Sequence, residues 1–137
     1  MYSGQFHEGL AIAYIEEKRG KYKYGYIDLK GELIIPFQYE GAENFKKGLG
    51  CIQSSENKKW GAVNKSGELI ITCKFLNSFY FDNQVAVANE NYDLYGVINL
   101  EGEYIIPPKF GSIGKFSEGL ANVRDKKTRK PGRIRLP

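Results

Sequence analysis

The stretch Trp60-Gly61-Ala62-Val63-Asn64-Lys65-Ser66-Gly67-Glu68-Leu69-Ile70-Ile71 occurs three times in altered spelling. Tyr24-Gly25-Tyr26-Ile27-Asp28 and Tyr95-Gly96-Val97-Ile98-Asn99 repeat its first half as aromatic, Gly, any residue, aliphatic, Asp or Asn. Gly31-Glu32-Leu33-Ile34-Ile35-Pro36 and Gly102-Glu103-Tyr104-Ile105-Ile106-Pro107 repeat its second half. An Asp or Asn opens a turn by accepting hydrogen bonds from its own following backbone. A glycine three residues on takes the positive φ that closes a type I turn with a bulge. A hairpin is therefore expected at Asp28-Leu29-Lys30-Gly31, Asn64-Lys65-Ser66-Gly67 and Asn99-Leu100-Glu101-Gly102. Period-two alternation places Gly25, Ile27 and Leu29 on one face of the incoming strand and Tyr24 and Tyr26 on the other. The outgoing strand is expected to stop at Pro36 and Pro107, because proline donates nothing to a ladder.

A further motif lies ahead of each copy. Phe6-His7-Glu8-Gly9-Leu10-Ala11 returns as Phe45-Lys46-Lys47-Gly48-Leu49-Gly50, as Phe81-Asp82-Asn83-Gln84-Val85-Ala86 and as Phe116-Ser117-Glu118-Gly119-Leu120-Ala121. The phenylalanines are 39, 36 and 35 residues apart, and Tyr39, Phe75 and Phe110 sit at equal offsets behind the motif glycines. From each motif glycine (Gly25, Gly61, Gly96) to the next phenylalanine the distance is always 20 residues, so that stretch is fixed in register. All length variation falls in one connection, which holds Glu16-Glu17-Lys18-Arg19-Gly20-Lys21 in the first copy and Ser54-Ser55-Glu56-Asn57-Lys58-Lys59 in the second. Such polar segments form exposed hairpin loops. Each unit reads as three short strands, followed by a connection of roughly eight residues such as Glu40-Gly41-Ala42-Glu43-Asn44.

The chain is thus expected to be one all-β domain over residues 1–137, built of tandem three-stranded antiparallel meanders. Repeat 1 spans about 6–44, repeat 2 about 45–80, repeat 3 about 81–115, and a partial repeat 4 about 116–137, with Gly132 placed 36 residues after Gly96 as the mark of a degenerate second strand. An open twisted array is the expected arrangement, with a closed propeller-like or barrel form as the alternative. An open array exposes strand edges, which natural proteins cap or protect, so the expectation is either that the chain is a fragment of a longer array or that it self-associates through an uncapped end.

The co-spaced aromatic-Gly dipeptide, the Asp/Asn-X-X-Gly turn, the Ile-Ile-Pro run and the preceding Phe-X-Glu-Gly-Leu-Ala resemble the bacterial WG repeat family over about residues 6–123. Trp60 keeps the tryptophan, while Tyr24 and Tyr95 replace it, and Asp82-Asn83-Gln84 departs from the Glu-Gly. The resemblance implies a β-repeat that acts in binding rather than in catalysis, with no defined ligand.

Composition is compatible with that reading. Leu, Ile, Val and Phe make up roughly a quarter of the chain, enough to form a core, and 16 glycines with 14% aromatic residues fit short strands joined by many turns. The net charge of +4 would point to an anionic partner. However, residues 124–137 hold seven basic side chains and one acidic one, which leaves the rest of the chain at −2. Nucleic-acid binding would rest on Lys126, Lys127, Arg129, Lys130, Arg133 and Arg135 alone, and such a run is expected to be a solvated flexible end. No apolar run reaches membrane-spanning length, so no membrane insertion is expected. No export signal is visible at the N-terminus, so the chain as written reads as cytoplasmic, and an export segment in a longer precursor would change that.

Catalytic and metal-binding motifs are not expected from these residues. His7 stands where Lys46, Asp82 and Ser117 stand in the other copies, a surface position rather than that of a general base. Cys51 aligns with Ile12 and Val87, and Cys73 with Phe37 and Pro108, so both thiols are expected to be reduced and packed. The exchange of Asp28 for Asn64 and Asn99 indicates turn formation, since an amide cannot act as a general base. Glu32, Glu68 and Glu103 are expected to be solvated at a strand edge. No P-loop, nucleophile elbow or metal spacing is present, and no cofactor is expected. Tyr24, Trp60 and Tyr95 admit two roles, as a ladder for sugars or peptides or as packing against neighbouring glycines, and the second is favoured. A protein partner is the first expectation and a cell-surface glycan or peptidoglycan the second.

Overall fold

The computed structural model describes residues 5–137. They form strands β1 (Leu10–Lys18), β2 (Lys21–Asp28), β3 (Leu33–Tyr39), β4 (Gly41–Ala42), β5 (Leu49–Gln53), β6 (Trp60–Asn64), β7 (Leu69–Phe75), β8 (Ala86–Asn91), β9 (Leu94–Ile98), β10 (Tyr104–Ile113), β11 (Leu120–Asp125) and β12 (Pro131–Arg135). No helix occurs among the described residues, hence none long and apolar enough to cross a membrane. The strands sort into three sheets, β1-β2-β3, β4-β5-β6-β7 and β12-β11-β10-β9-β8, and none closes into a barrel. Every described strand pairing is antiparallel. The chain divides into two compact units, residues 1–74 and 75–137.

Two turns recur because the sequence encodes each of them several times. At the head of each repeat a two-residue turn is bracketed by His7–Leu10, Lys46–Leu49, Asp82–Val85 or Ser117–Leu120. Glu8 and Gly9 (φ 55° and 86°), Lys47 and Gly48 (56° and 78°) and Glu118 and Gly119 (53° and 78°) all occupy the left-handed region that such a hairpin turn requires. The third head has Gln84 where the others have glycine, and its closing hydrogen bond from Val85 N to Asp82 O is the longest of the four at 3.3 Å. The second turn follows the expected chemistry. Asp28 Oδ1 accepts from Lys30 N and Glu32 N, both at 2.9 Å, while Gly31 has φ 81°. Asn64 and Asn99 bond the same way, with Gly67 at 87° and Gly102 at 83°.

Strand three departs from expectation at its prolines. β3 runs on past Pro36 to Tyr39, and β10 continues past Pro107 and Pro108 to Ile113. The register explains why: Tyr26 pairs with Ile35 and Tyr24 with Tyr39, while Val97 pairs with Ile106 and Tyr95 with Phe110. In each case one residue of strand two faces three of strand three, so the prolines lie in a wide bulge where no ladder donor is needed. The eight-residue connection is likewise partly strand. Gly41 and Ala42 pair with Gln53 and Ile52, and Ser112 and Ile113 pair with Arg124 and Val123. Leu76 N donates to Asn89 O at 2.9 Å at the corresponding place between repeats 2 and 3. Strand three therefore closes its own repeat with its first half and opens the next repeat with its second.

Each unit has its own core. In residues 1–74, Leu10, Tyr26 and Ile35 of repeat 1 cluster with Phe45, Ile52 and Val63 of repeat 2. Complete burial of side chains this size contributes about 1.5–3 kcal/mol each, so this cluster is the main bond between the two repeats. In residues 75–137, Phe75, Phe79 and Phe81 form a chain of edge-to-face contacts with centroids 5.2 and 5.7 Å apart. Val97, Ile98 and Ile106 complete that core.

Candidate interaction surfaces

The bulge accounts for the aromatic-Gly dipeptide. A Cβ on Gly25 would fall on the carbonyl oxygen of Ile35 and within 2.8 Å of that of Pro36. One on Gly61 would fall on Ile71 O and within 2.9 Å of Cys73 N, and one on Gly96 would lie 2.6 Å from Ile106 O. These glycines recur from repeat to repeat because backbone approaches backbone closely, with no need for positive φ. The neighbouring rings are used for packing. Trp60 lies over Gly41, where an added Cβ would be 2.9 Å from Cη2, and Tyr24 stands 5.9 Å from Tyr14, centroid to centroid. Tyr24, Trp60 and Tyr95 are all half-buried.

The junction of repeats 1 and 2 has a socket and a clamp. Phe45 meets Tyr26 edge to face at 4.7 Å within the cluster that includes Leu10, with Ile12 packed against it. Tyr26 is fully buried, and its hydroxyl donates to Glu43 O at 2.6 Å. Burial pushes its phenol far above the ordinary range, so it stays a neutral donor. Beside it, the carboxylate of Glu8 accepts from Lys47 N at 2.7 Å and Gly48 N at 2.8 Å, with Lys65 Nζ 3.9 Å away. Paired backbone N–H groups in such a turn form an anion-binding nest, and Glu8 of one repeat fills the nest of the next. The sequence carried one signal for this clamp, the Glu of Phe-X-Glu-Gly, which is shared only by Glu118.

A groove of about 510 Å³ opens in repeat 1 between Lys18, Lys21, Tyr22, Tyr24, Glu40 and Lys58. Its floor is an ion-pair network in which Lys23 and Lys58 lie 2.8 and 2.9 Å from Glu40 Oε1, and Lys23 also donates to Ser55 Oγ. Hydrogen bonds from these two lysines hold the Glu40 carboxyl down to about 2. Tyr22 is 41% exposed at the rim and meets Tyr14 edge to face at 5.5 Å.

Strand three carries another exposed surface. Of its three consecutive apolar residues only the last is buried, as with Ile35 and Ile71. Leu33 (46% exposed) and Ile34 (38%) of repeat 1 have their counterparts in Leu69 (56%) and Ile70 (41%) of repeat 2. The Gly67 turn that leads into β7 lies against Ile35, with 3.5 Å between the position of an added Cβ and Ile35 Cγ1, which brings the two pairs into neighbouring segments.

The remaining sequence positions are placed plainly. His7 is half-buried in the head turn, Cys51 is buried, and Cys73 is half-buried with its thiol pushed up by burial, opposite to what a nucleophile needs. No disulfide joins Cys51 and Cys73. Glu68 and Glu103 are not merely solvated: they accept from the Asn64 and Asn99 side-chain amides at 2.8 and 3.2 Å. Among the described residues no group of three or more His, Cys, Asp or Glu side chains could hold a metal ion. The basic C-terminal run is a formed hairpin rather than a loose end. Asp125 accepts from Lys127 N and Thr128 N, which lowers its carboxyl, and β12 pairs with β11 along five residues with Val123 opposite Gly132.

Recurrent three-stranded units that pass a strand from one to the next, with a glycine pinned under each bulge, define a tandem β-repeat module. The family described as WG containing repeat matches residues 24–58, 60–92 and 95–127. The chain belongs to that family. Each match opens at or beside the aromatic-Gly dipeptide, half a unit out of phase with the phenylalanine heads. A comparison with curated proteins gave no match.

Proposed function

We propose that this chain is a non-catalytic interaction module whose main partner is another protein, bound across the outer face of strand three. The observation that carries this reading is the exposure of Leu33 and Ile34 and again of Leu69 and Ile70, equivalent apolar pairs on successive repeats. Single exposed apolar residues are ordinary, but pairs recurring at a fixed place in a repeat offer equivalent apolar sites on successive units. Trp60 packs over Gly41 and Tyr24 beside Tyr14, whereas the strand-three pairs are open to solvent. The test is affinity capture with the immobilised wild-type chain beside the Leu33→Asp/Leu69→Asp double variant. Proteins retained by the first and lost from the second, with identical circular dichroism, support the reading; an unchanged retained set overturns it.

A second reading, an acidic cell-surface glycan or peptidoglycan fragment, is favoured by the repeat 1 groove, where Lys18 and Lys21 flank the exposed ring of Tyr22. Sugar faces stack on such rings and carboxylates pair with such lysines. A glycan array that includes peptidoglycan fragments tests it, with signals expected to disappear in Lys21→Glu and Tyr22→Ala.

A further inference from the structure

Repeat 4 keeps the register of the other repeats but changes the chemistry of one face. The cross-strand pairs Ile12–Tyr26, Cys51–Ala62 and Val87–Val97 hold the same place in repeats 1, 2 and 3, and none of these side chains is charged. In repeat 4 the pair is Asn122–Arg133. Its neighbours change with it. Arg135 stands where Asp28, Asn64 and Asn99 open their turns, and Arg124 where Tyr14, Gln53 and Asn89 stand. Residues opposite one another in an antiparallel ladder share a face, so Asn122, Arg124, Arg133 and Arg135 lie on one side of β11 and β12, all exposed. Ala121 and Val123 point the other way and are buried.

This face is not neutralised from within. Lys115 and Arg133 line a groove of about 230 Å³ together with Ser117, Leu120 and Asn122. Lys115, Arg133 and Arg135 make no ion pair among the described residues. Residues 104–137 carry nine Lys or Arg against Glu118 and Asp125, and Asp125 is engaged in its own turn, accepting from Lys127 N and Thr128 N. That turn displays Lys126, Lys127, Arg129 and Lys130 beyond the ladder, and Arg124 Nη1 donates to Arg129 O at 2.9 Å across its base. The charges are therefore held on a folded ribbon.

The spacing suits an anion of regular period. A strand rises about 3.4 Å per residue, which sets Arg133 and Arg135 about 7 Å apart along one face. A guanidinium fork holds two oxygens of one phosphate, so a row of them fits a chain of phosphates. Residues 126–130 include no apolar or aromatic side chain to enter a bilayer or to stack on a base. We propose that the β11–β12 face is a nucleic-acid-binding surface that grips the phosphate backbone without reading its sequence. It uses neither the strand-three pairs nor the repeat 1 groove, and it stands or falls apart from both readings above.

Fluorescence anisotropy of the full chain with labelled single-stranded and duplex DNA, titrated between about 0.05 and 0.2 M salt, tests it. Wild type is expected to bind one or both forms with a Kd of about 1–100 µM, the range of backbone recognition, and with a log–log salt slope steeper than about −2. Arg133→Glu/Arg135→Glu is expected to bind at least about tenfold more weakly and with a shallower slope. Lys115→Glu lies outside the strands, so it reads the groove directly if the double variant loses stability, and it is expected to weaken binding about threefold or more. Lys18→Glu/Lys21→Glu makes the same change in net charge at repeat 1 and is expected to stay within about twofold of wild type at 0.1 M salt, where screening confines charge effects to about 10 Å. No binding by wild type, affinity indifferent to salt, or equal losses in the two double variants overturns the proposal. Poly-glutamate bound as tightly as DNA overturns it too, in favour of an acidic protein segment.

Discussion

Gly61 and Gly132 occupy the same position in repeats 2 and 4, yet they are held by different surroundings. Above Gly61 strand three bulges so close that an added methyl group would strike Ile71 O and crowd the backbone and thiol of Cys73. Above Gly132 the nearest atom is Val123 Cγ2 at 3.6 Å, an ordinary contact. The glycine is therefore a consequence of strand three, and where β12 is the edge of its sheet the letter persists without the constraint. Gly61→Ala is expected to cost the most of any substitution at these contrasting sites, about 3 kcal/mol or more, because backbone cannot yield as a side-chain tip can. Gly132→Ala is expected to stay within about 0.5 kcal/mol. Urea unfolding of both variants measures the difference, and equal losses would break the link between the dipeptide and the bulge.

That contrast also marks how far the sequence could be read. The three Asp/Asn-X-X-Gly turns were fully legible, because a side chain bonding its own backbone and a glycine at positive φ are local chemistry. The all-β class and the recurrence of the unit followed from spacing. The bulge was not legible, because Pro36 and Pro107 read as strand ends unless the partner strand is known to skip residues. For the same reason β4 and the second half of β10 read as a loop. Their pairing partners lie in the next repeat, and a short stretch such as Gly41-Ala42 has no periodicity of its own. The Glu8 clamp links side chain and turn across 39 and 40 residues, beyond any local pattern.

The next difference lies between the two units. Glu40, at the end of strand three in repeat 1, is bound by Lys23 and Lys58, while Leu76 and Gly111 hold its place in repeats 2 and 3. Its carboxyl is held at about 2, below the ordinary value of 4.5, so the folded state favours the ionised form. The stabilisation is complete above about pH 4.5 and is lost as pH falls toward 2. The pairs are partly exposed and screened by salt, so the loss is expected to stay near 1 kcal/mol or below. Amide exchange should show residues 1–74 loosening across that pH window, and Glu40→Gln should remove this dependence. Equal acid sensitivity of wild type and Glu40→Gln would show that the network contributes nothing.

The smallest difference separates the turns themselves. Asn64 and Asn99 use the carbonyl oxygen to accept from the turn and the amide to donate to Glu68 or Glu103. Asp28 accepts the same backbone bonds but has no donor to offer Glu32, a second carboxylate four residues on. Asp28→Asn should add the missing bond and remove the like-charge pair, raising stability by about 0.5 kcal/mol, the low end for a solvent-exposed hydrogen bond. Asn64→Asp should lower it by a similar amount. Thermal melts measure both changes, and an Asp28→Asn gain that persists in a Glu32→Ala background would assign the effect to turn geometry rather than to the Asn–Glu bond.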